Sequence, residues 1–205
     1  MEVKQNLCYE GEPVLCYRLD LPEPPEGCRR LARYFGEVER VWAAYWEKKV
    51  YPRACRDWEE KRAASRIFRP WSGELTGEIT CEEETLHSVK LEAKQTRGDG
   101  RPCLVCWGEN WDLRADGPLD VENLLKQGRG WQKRVLEEIF EAGEARQRED
   151  LWFPDRDWRE KAKKALKTVE PWADEKSVFW SFPQGFMADP AEGTPVFETA
   201  RGEHS

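Results

Sequence analysis

The sequence predicts an α+β fold: an antiparallel sheet with helices packed mainly on one face. Three observations carry this. Several segments alternate apolar and polar residues with period two, the mark of a strand with one buried face. Another segment repeats large aromatic residues every three or four positions, the mark of a helix with one apolar stripe. Short turns of Gly, Asp and Pro join neighbouring strand-like segments, and short connections favour antiparallel pairing.

The chain has 205 residues and is read as a single domain over 1–205, with its core within about 12–199. Apolar residues make up 39% and eleven residues are tryptophan, which predicts a core built around aromatic rings. The 40 acidic and 33 basic residues give a net charge of −7 and are interspersed. That leaves no basic stripe for phosphates, so nucleic acid is not an expected partner. No stretch approaches the ~20 apolar residues of a membrane span, and no apolar run follows Met1-Glu2-Val3-Lys4-Gln5. Seven scattered cysteines are an odd number and suit reduced thiols. A cytoplasmic location is expected.

The elements follow in order. A hairpin opens the chain, turning at Glu10-Gly11-Glu12, with Leu15, Tyr17, Leu19 and Leu21 on its buried face. Pro22, Pro24 and Pro25 end it, because proline cannot donate to a ladder. Leu31, Phe35, Val38, Trp42, Tyr45 and Trp46 predict an aromatic helix, which Pro52 should kink before a second piece runs towards Arg66. Leu75, Gly77, Ile79 and Cys81 predict one strand, and Val89, Leu91 and Ala93 another, with the turn Arg97-Gly98-Asp99-Gly100 after it. The segment from Cys103 to Trp111 is apolar on both faces, which predicts a central strand. Asp120 should cap a short helix through Leu124 and Leu125. A longer helix carries Trp131, Val135, Leu136, Ile139 and Phe140, and a third, capped by Asp155 or Asp157, carries Trp158, Ala162, Ala165 and Val169. Strands at residues 177–182 and 195–199 close the chain around a loop.

This order resembles a known family. The run from Trp111 to Leu119, leading into Asn123-Leu124-Leu125, resembles the strand, glycine turn and short helix of the RsiV-like domain family. Val178-Phe179-Trp180-Ser181-Phe182, a loop with Gly193, and Pro195-Val196-Phe197 are similar to its closing strand, loop and strand. The family is similar to the extracytoplasmic region of a bacterial lysozyme-sensing anti-sigma factor. The resemblance implies a binding or sensory role, since understood relatives bind lysozyme or accompany a polysaccharide deacetylase module. Its patterns are turns and aromatics, not a catalytic fingerprint.

Residue chemistry points the same way. Cys103-Leu104-Val105-Cys106 has C-x-x-C spacing, but a structural zinc site needs four ligands and the chain offers only His87 and His204 besides. On a strand, residues three apart face opposite ways, so buried strand cysteines are expected. His87 shares a face with Val89 and Leu91 and reads as a core or edge histidine. Asp112, Asp116 and Asp120 lack the alternating oxygens of a calcium loop and suit turns and caps. Asp155, Asp157 and Glu160 suit a helix N-terminus, and no serine lies in a G-x-S-x-G elbow. No metal or cofactor is implied.

The segment least explained by packing is the closing loop around Pro183-Gln184-Gly185-Phe186-Met187-Ala188-Asp189-Pro190. Long loops in compact domains often carry function. Phe186, Met187, Gln184 and Asp189 are the expected contacts to a ligand or partner, a protein or a glycan; the competing expectation is a loop packing its own apolar residues onto the sheet. The functional expectation is a non-enzymatic binding or sensory module. The alternative is a hydrolase or transferase with a carboxylate site acting on glycans, using aromatic platforms for sugar rings.

Overall fold

A computed structural model describes residues 2–125 and 130–202. Its α+β class agrees with the sequence reading, but its main sheet is mixed. Strands β1 (Val3–Tyr9), β2 (Glu12–Asp20), β3 (Trp71–Glu82), β4 (Leu86–Thr96), β5 (Pro102–Asp112) and β6 (Gly117–Pro118) form that sheet in sequence order. A second sheet has the order β7 (Trp172–Ala173), β8 (Ser177–Ser181) and β9 (Val196–Ala200). Helices α1 (Arg29–Tyr45), α2 (Tyr51–Ala63), α3 (Val121–Leu124), α4 (Trp131–Arg148) and α5 (Trp158–Ala165) complete the fold. The chain divides into two compact units, one comprising the residues up to Gly77 with Glu92–Cys103, the other Glu78–Leu91 with everything from Leu104 on.

In the first unit, β1 and β2 pair antiparallel about a turn in which Glu10 and Gly11 both adopt positive φ, 49° and 85°. Two successive positive φ values match the right-handed twist of a hairpin, and glycine takes the second without a Cβ penalty. Leu15, Tyr17 and Leu19 are buried as the alternation predicts. β2 then pairs in parallel with β3, Leu15 opposite Trp71 and Asp20 opposite Thr76. The expected antiparallel sheet is therefore corrected at this one junction. Parallel neighbours need a crossover, and residues 21–70, carrying α1 and α2, supply it.

The kink expected at Pro52 is a single π turn, Trp46–Val50, with Pro52 in the first turn of α2. Pro52 has no N–H to donate, and a widened turn just before it takes up the mismatch. The turn also sinks Trp46, fully buried, against Tyr17 at 5.2 Å between ring centroids. A Cβ on Gly73 would lie 2.6 Å from that indole, so β3 needs glycine there. Tyr17 donates its hydroxyl to Glu47 at 2.7 Å; burial and this carboxylate push its pKa up to about 12.

In the second unit, one aromatic core gathers α3, α4, α5, β8 and β9. Trp131 stacks on Trp180 at 5.7 Å, and Trp152 meets Trp158 and Phe197 edge-on. Asp120 caps α3, its side chain accepting from the backbone N–H of Asn123 at 2.8 Å. Asp157 occupies the N-cap of α5 without a side-chain cap bond; Lys161 pairs with both Asp155 and Asp157. Contrary to expectation, β5 is not central over most of its length. Its outer neighbour β6 has only two residues, and Val105 stays 46% exposed.

Four hydrogen bonds fasten residues 170–173 to the middle of β3, β4 and β5. Gly108 N–H donates to Glu170 O (2.7 Å), Asn110 Nδ2 to Pro171 O (2.6 Å), Ala173 N–H to Ser88 Oγ (2.8 Å) and Thr80 Oγ1 to Ala173 O (2.7 Å). A Cβ on Gly108 would sit 2.2 Å from the Pro171 carbonyl carbon, an obstacle of backbone that cannot turn aside. Gly108→Ala is therefore expected to destabilise the protein by roughly 1–3 kcal/mol or more, read as a lowered Tm and urea midpoint.

Candidate functional site

The closing loop holds its shape with the residues that drew attention to it. Gln184 accepts the Leu104 N–H at its Oε1 and donates from Nε2 to Pro190 O, both at 2.7 Å. Asp189 Oδ1 accepts the Ala191 N–H at 2.8 Å and caps the short turn Pro190–Glu192. Met187 is fully buried, and Phe186 is half-buried against the core. Met187 is thus a core residue here, and Gln184 and Asp189 brace the backbone.

The loop is also stitched to a second one. Asp155 donates its N–H to Met187 O at 2.8 Å, and Pro154 bridges antiparallel to Ala188. The second loop begins where α4 ends. Asp150 adopts a left-handed φ of 53°, its N–H donating to Gln147 O (3.2 Å) while Leu151 N–H reaches back to Arg146 O (2.9 Å). This paired closure satisfies two orphan carbonyls of the last turn. The chain then leaves α4 in extended form, and side chains alternate. Trp152 turns into the core at 4% exposure, while Leu151 (67%) and Phe153 (64%) point outward. Neither was singled out from the sequence. The available signal was three large apolar residues in succession between a charged run and Pro154.

Beside Leu151 opens a cavity of about 360 Å³, lined by Arg146, Leu151, Trp152, Glu192, Thr194 and Val196. The Arg146 guanidinium lies over the Phe197 ring at 4.8 Å, and burial pulls its pKa below the usual arginine value. The arrangement brings one guanidinium, one carboxylate and one hydroxyl to a largely apolar wall and can bind and orient a group.

The remaining candidates fall to structural roles. Contrary to the expectation of buried strand cysteines, Cys103 is exposed and Cys106 half-buried on β5, and all seven cysteines are free. Among the described residues no group of His, Cys, Asp and Glu could hold a metal ion. Asp112 accepts the N–H groups of Arg114 (2.8 Å) and Ala115 (3.1 Å) in a turn, and Asp116 carries a positive φ of 42°. His204 lies outside the described residues. Nine tryptophans, Trp46, Trp58, Trp71, Trp111, Trp131, Trp152, Trp158, Trp172 and Trp180, are buried, which removes most of the aromatic surface a sugar could stack on. Glu2 and Glu37 have pKa values lowered by bonds to Lys4 and Arg40, the direction opposite to that of a general acid.

The fold and this surface define a class: an α+β protein with a mixed six-stranded sheet, a small second sheet and braced loops at its end. Solved structures of the DUF3298 family share the fold. One, from Bacteroides fragilis NCTC 9343, superposes with a TM-score of 0.63 at 10% identity, covering 98% of this chain and 88% of its own. Another, from Pseudomonas aeruginosa PAO1, gives 0.56 at 16% identity, covering 97% and 86%. At such identities the likeness concerns the fold alone. No family model and no curated protein matches the sequence.

His87 is fully buried in β4, with neither ring nitrogen hydrogen-bonded among the described residues, and burial lowers its pKa from 6.5. It folds neutral, while the unfolded chain takes up a proton as pH falls below about 6.5. Protonation thus favours unfolding, and stability drops on acidification. His87→Leu removes this step. The stability difference between variant and wild type, from urea midpoints, should shift in the variant's favour as pH falls from 7 to 5.

Proposed function

We propose that this chain is a non-enzymatic binding or sensory module that contacts a protein or glycan ligand through loops 149–157 and 183–195. The observation that carries the reading is the outward placement of Leu151 and Phe153 on a segment locked to the closing loop. Leaving two such side chains in water forgoes roughly 1.5–3 kcal/mol each, which a partner covering them would return. Phe186, half-buried in the adjoining loop, with Gln184 and Asp189 as its braces, belongs to the same surface; Met187 supports it from beneath. The resemblance to the RsiV-like domain of a lysozyme-sensing anti-sigma factor agrees with a binding role. Lysozyme itself is not carried over as the partner.

A cytoplasmic setting is part of this reading, supported by seven free thiols. No helix among the described residues is long and apolar enough to cross a membrane. The net charge of −7 speaks against nucleic acid as the ligand. Residues 1–205 are taken to act as one domain because β3, β4 and β5 each run unbroken from one compact unit into the other. Far-ultraviolet dichroism and tryptophan fluorescence should then report one coincident urea transition; two separated transitions would refute a single cooperative domain.

The surface is tested with the double variant L151S/F153S against peptide and glycan arrays. Ligands captured by the wild type should be lost, with Tm unchanged or slightly raised because both side chains are exposed. Retention of every ligand by the double variant would discard this surface.

A further inference from the structure

The cavity beside Leu151 is lined by one cation, Arg146, and one carboxylate, Glu192, and the two form no ion pair. Arg146 projects from the last turn of α4, is partly withdrawn from water and rests on Phe197. Among the described residues no carboxylate lies within ion-pair distance of it, although ion pairs are common elsewhere on the same helix: Lys133 with Glu137, and Arg134 with Glu138. A guanidinium keeps its charge even when burial lowers its pKa, and its planar fork matches a carboxylate with two parallel hydrogen bonds. The contact with the Phe197 ring, 4.8 Å from Cζ to centroid, restricts where the guanidinium can sit.

The rest of the lining selects what brings the carboxylate. Trp152, Pro195, Val196 and Leu151 are apolar, and Thr194 offers one hydroxyl. A sugar ring carries several hydroxyls, each needing a partner once buried, and beyond Arg146, Glu192 and Thr194 the lining side chains are apolar. At about 360 Å³ the cavity lies near the lower end of ligand-site volumes, suited to a side chain rather than an oligosaccharide. Leu151 and Phe153 stand two residues apart on an extended segment, roughly 6.6 Å along the chain, the repeat with which an extended peptide presents alternate side chains. Glu192, exposed at the rim, is the one acidic group lining the cavity and opposes an incoming carboxylate.

We propose that this cavity takes an acidic side chain of an extended peptide segment in a protein partner, with Arg146 pairing its carboxylate and apolar neighbours in that segment covering Leu151 and Phe153. The inference rests on the binding surface proposed above and narrows its ligand to an acidic, apolar-flanked peptide. The chain's own negative charge does not forbid this, because salt screens distant charges beyond about 8 Å while Arg146 acts in contact.

The test titrates the full chain with the fluorescein-labelled blocked peptide Gly-Ser-Leu-Glu-Leu-Ser-Gly and with its Glu-to-Gln counterpart. The wild type should bind the Glu peptide about tenfold more tightly or better, the range of a hydrogen bond to a charged group. R146Q should erase that preference, R146K should retain part of it, and E192Q should strengthen it. The peptide-side exchange needs no protein variant, so the result stands even where R146Q misfolds. Equal binding of the two peptides, binding of neither, or tighter binding of a glucuronic acid oligomer would each overturn the inference. Equal binding that L151S/F153S abolishes removes the carboxylate and keeps the surface. A Glu preference undiminished in L151S/F153S keeps the Arg146 pairing and refutes the apolar flanking contact, and with it the surface.

Discussion

Within the second unit, everything that positions the candidate site depends on a small buried polar network. Ser88 Oγ donates to Asn110 Oδ1 at 2.7 Å while accepting the N–H of Ala173, and Asn110 turns its amide to Pro171 O. Each of these groups is out of water, so each satisfied bond is modest in net value but each orphaned partner would cost about 1–3 kcal/mol. Such a network is effectively all or nothing. It holds residues 171–173 flat against Gly108, the only residue type that permits the approach. Those residues are the start of the second sheet: β7 is two residues long and would not pair stably alone. From β7 the order passes to β8, β9 and the loop between them.

The end of that sheet is closed by a different kind of contact. Arg201, 3% exposed, forms two bonds to Glu83, of 2.6 and 3.0 Å, and one to Asp174 O. Beside them Cys81 is desolvated, and its thiol pKa is pushed up to about 11, which makes it inert rather than reactive. The arginine side of this pair is buried and the Glu83 side partly exposed, so it says little about stability, but the two parallel bonds restrict the geometry. It anchors the chain just past the end of β9, while pairing with β8, Ser181 opposite Val196, places Val196 at the cavity wall. Trp152 does the same from the other side. Wedged among Trp158 and Phe197, it cannot turn outward, so its neighbours Leu151 and Phe153 must.

Much of this fold was legible because it is local. Leu15, Tyr17 and Leu19 alternate within one strand, Glu10-Gly11 accepts positive φ, and Asp120 caps through its own side chain. What could not be read is what depends on the path of the chain. The parallel pairing of β2 with β3 follows from where α1 and α2 carry the backbone, not from the residues that pair. β5 looked central because Cys103 to Trp111 is apolar on both faces, yet composition does not count neighbours, and β6 supplies only two residues. The closing loop was legible as an irregular segment. Which of its apolar residues would be buried was not, because Met187 is covered by elements remote in sequence. Arg146 was invisible for a like reason: an arginine in a charged helix end is ordinary until the carboxylates around it prove to be elsewhere.

The junction at 146–153 also gathers local choices that work against stability. Asp150 takes a left-handed φ of 53° that glycine would adopt freely and that aspartate tolerates better than most residues. Asp150 and Glu149 place negative charge at the end of a helix whose dipole is negative there, and Arg146 and Arg148 only partly offset it. Leu151 and Phe153 are left in water, and Arg146 is drawn partly out of it without a partner. Each alone is unremarkable. Elsewhere in the unit Asp120 caps its helix, Asn110 completes a buried network and Arg201 is paired, while His87 is buried with neither ring nitrogen hydrogen-bonded among the described residues. Several local rules broken within a few residues of one another mark a place where a sequence serves something other than its own stability. The loop is rigid enough to hold that conflict because Pro154 and Asp155 are tied to Ala188 and Met187 on the far side. A partner that covers Leu151 and supplies a carboxylate to Arg146 would resolve the exposure and the unpaired charge in one step.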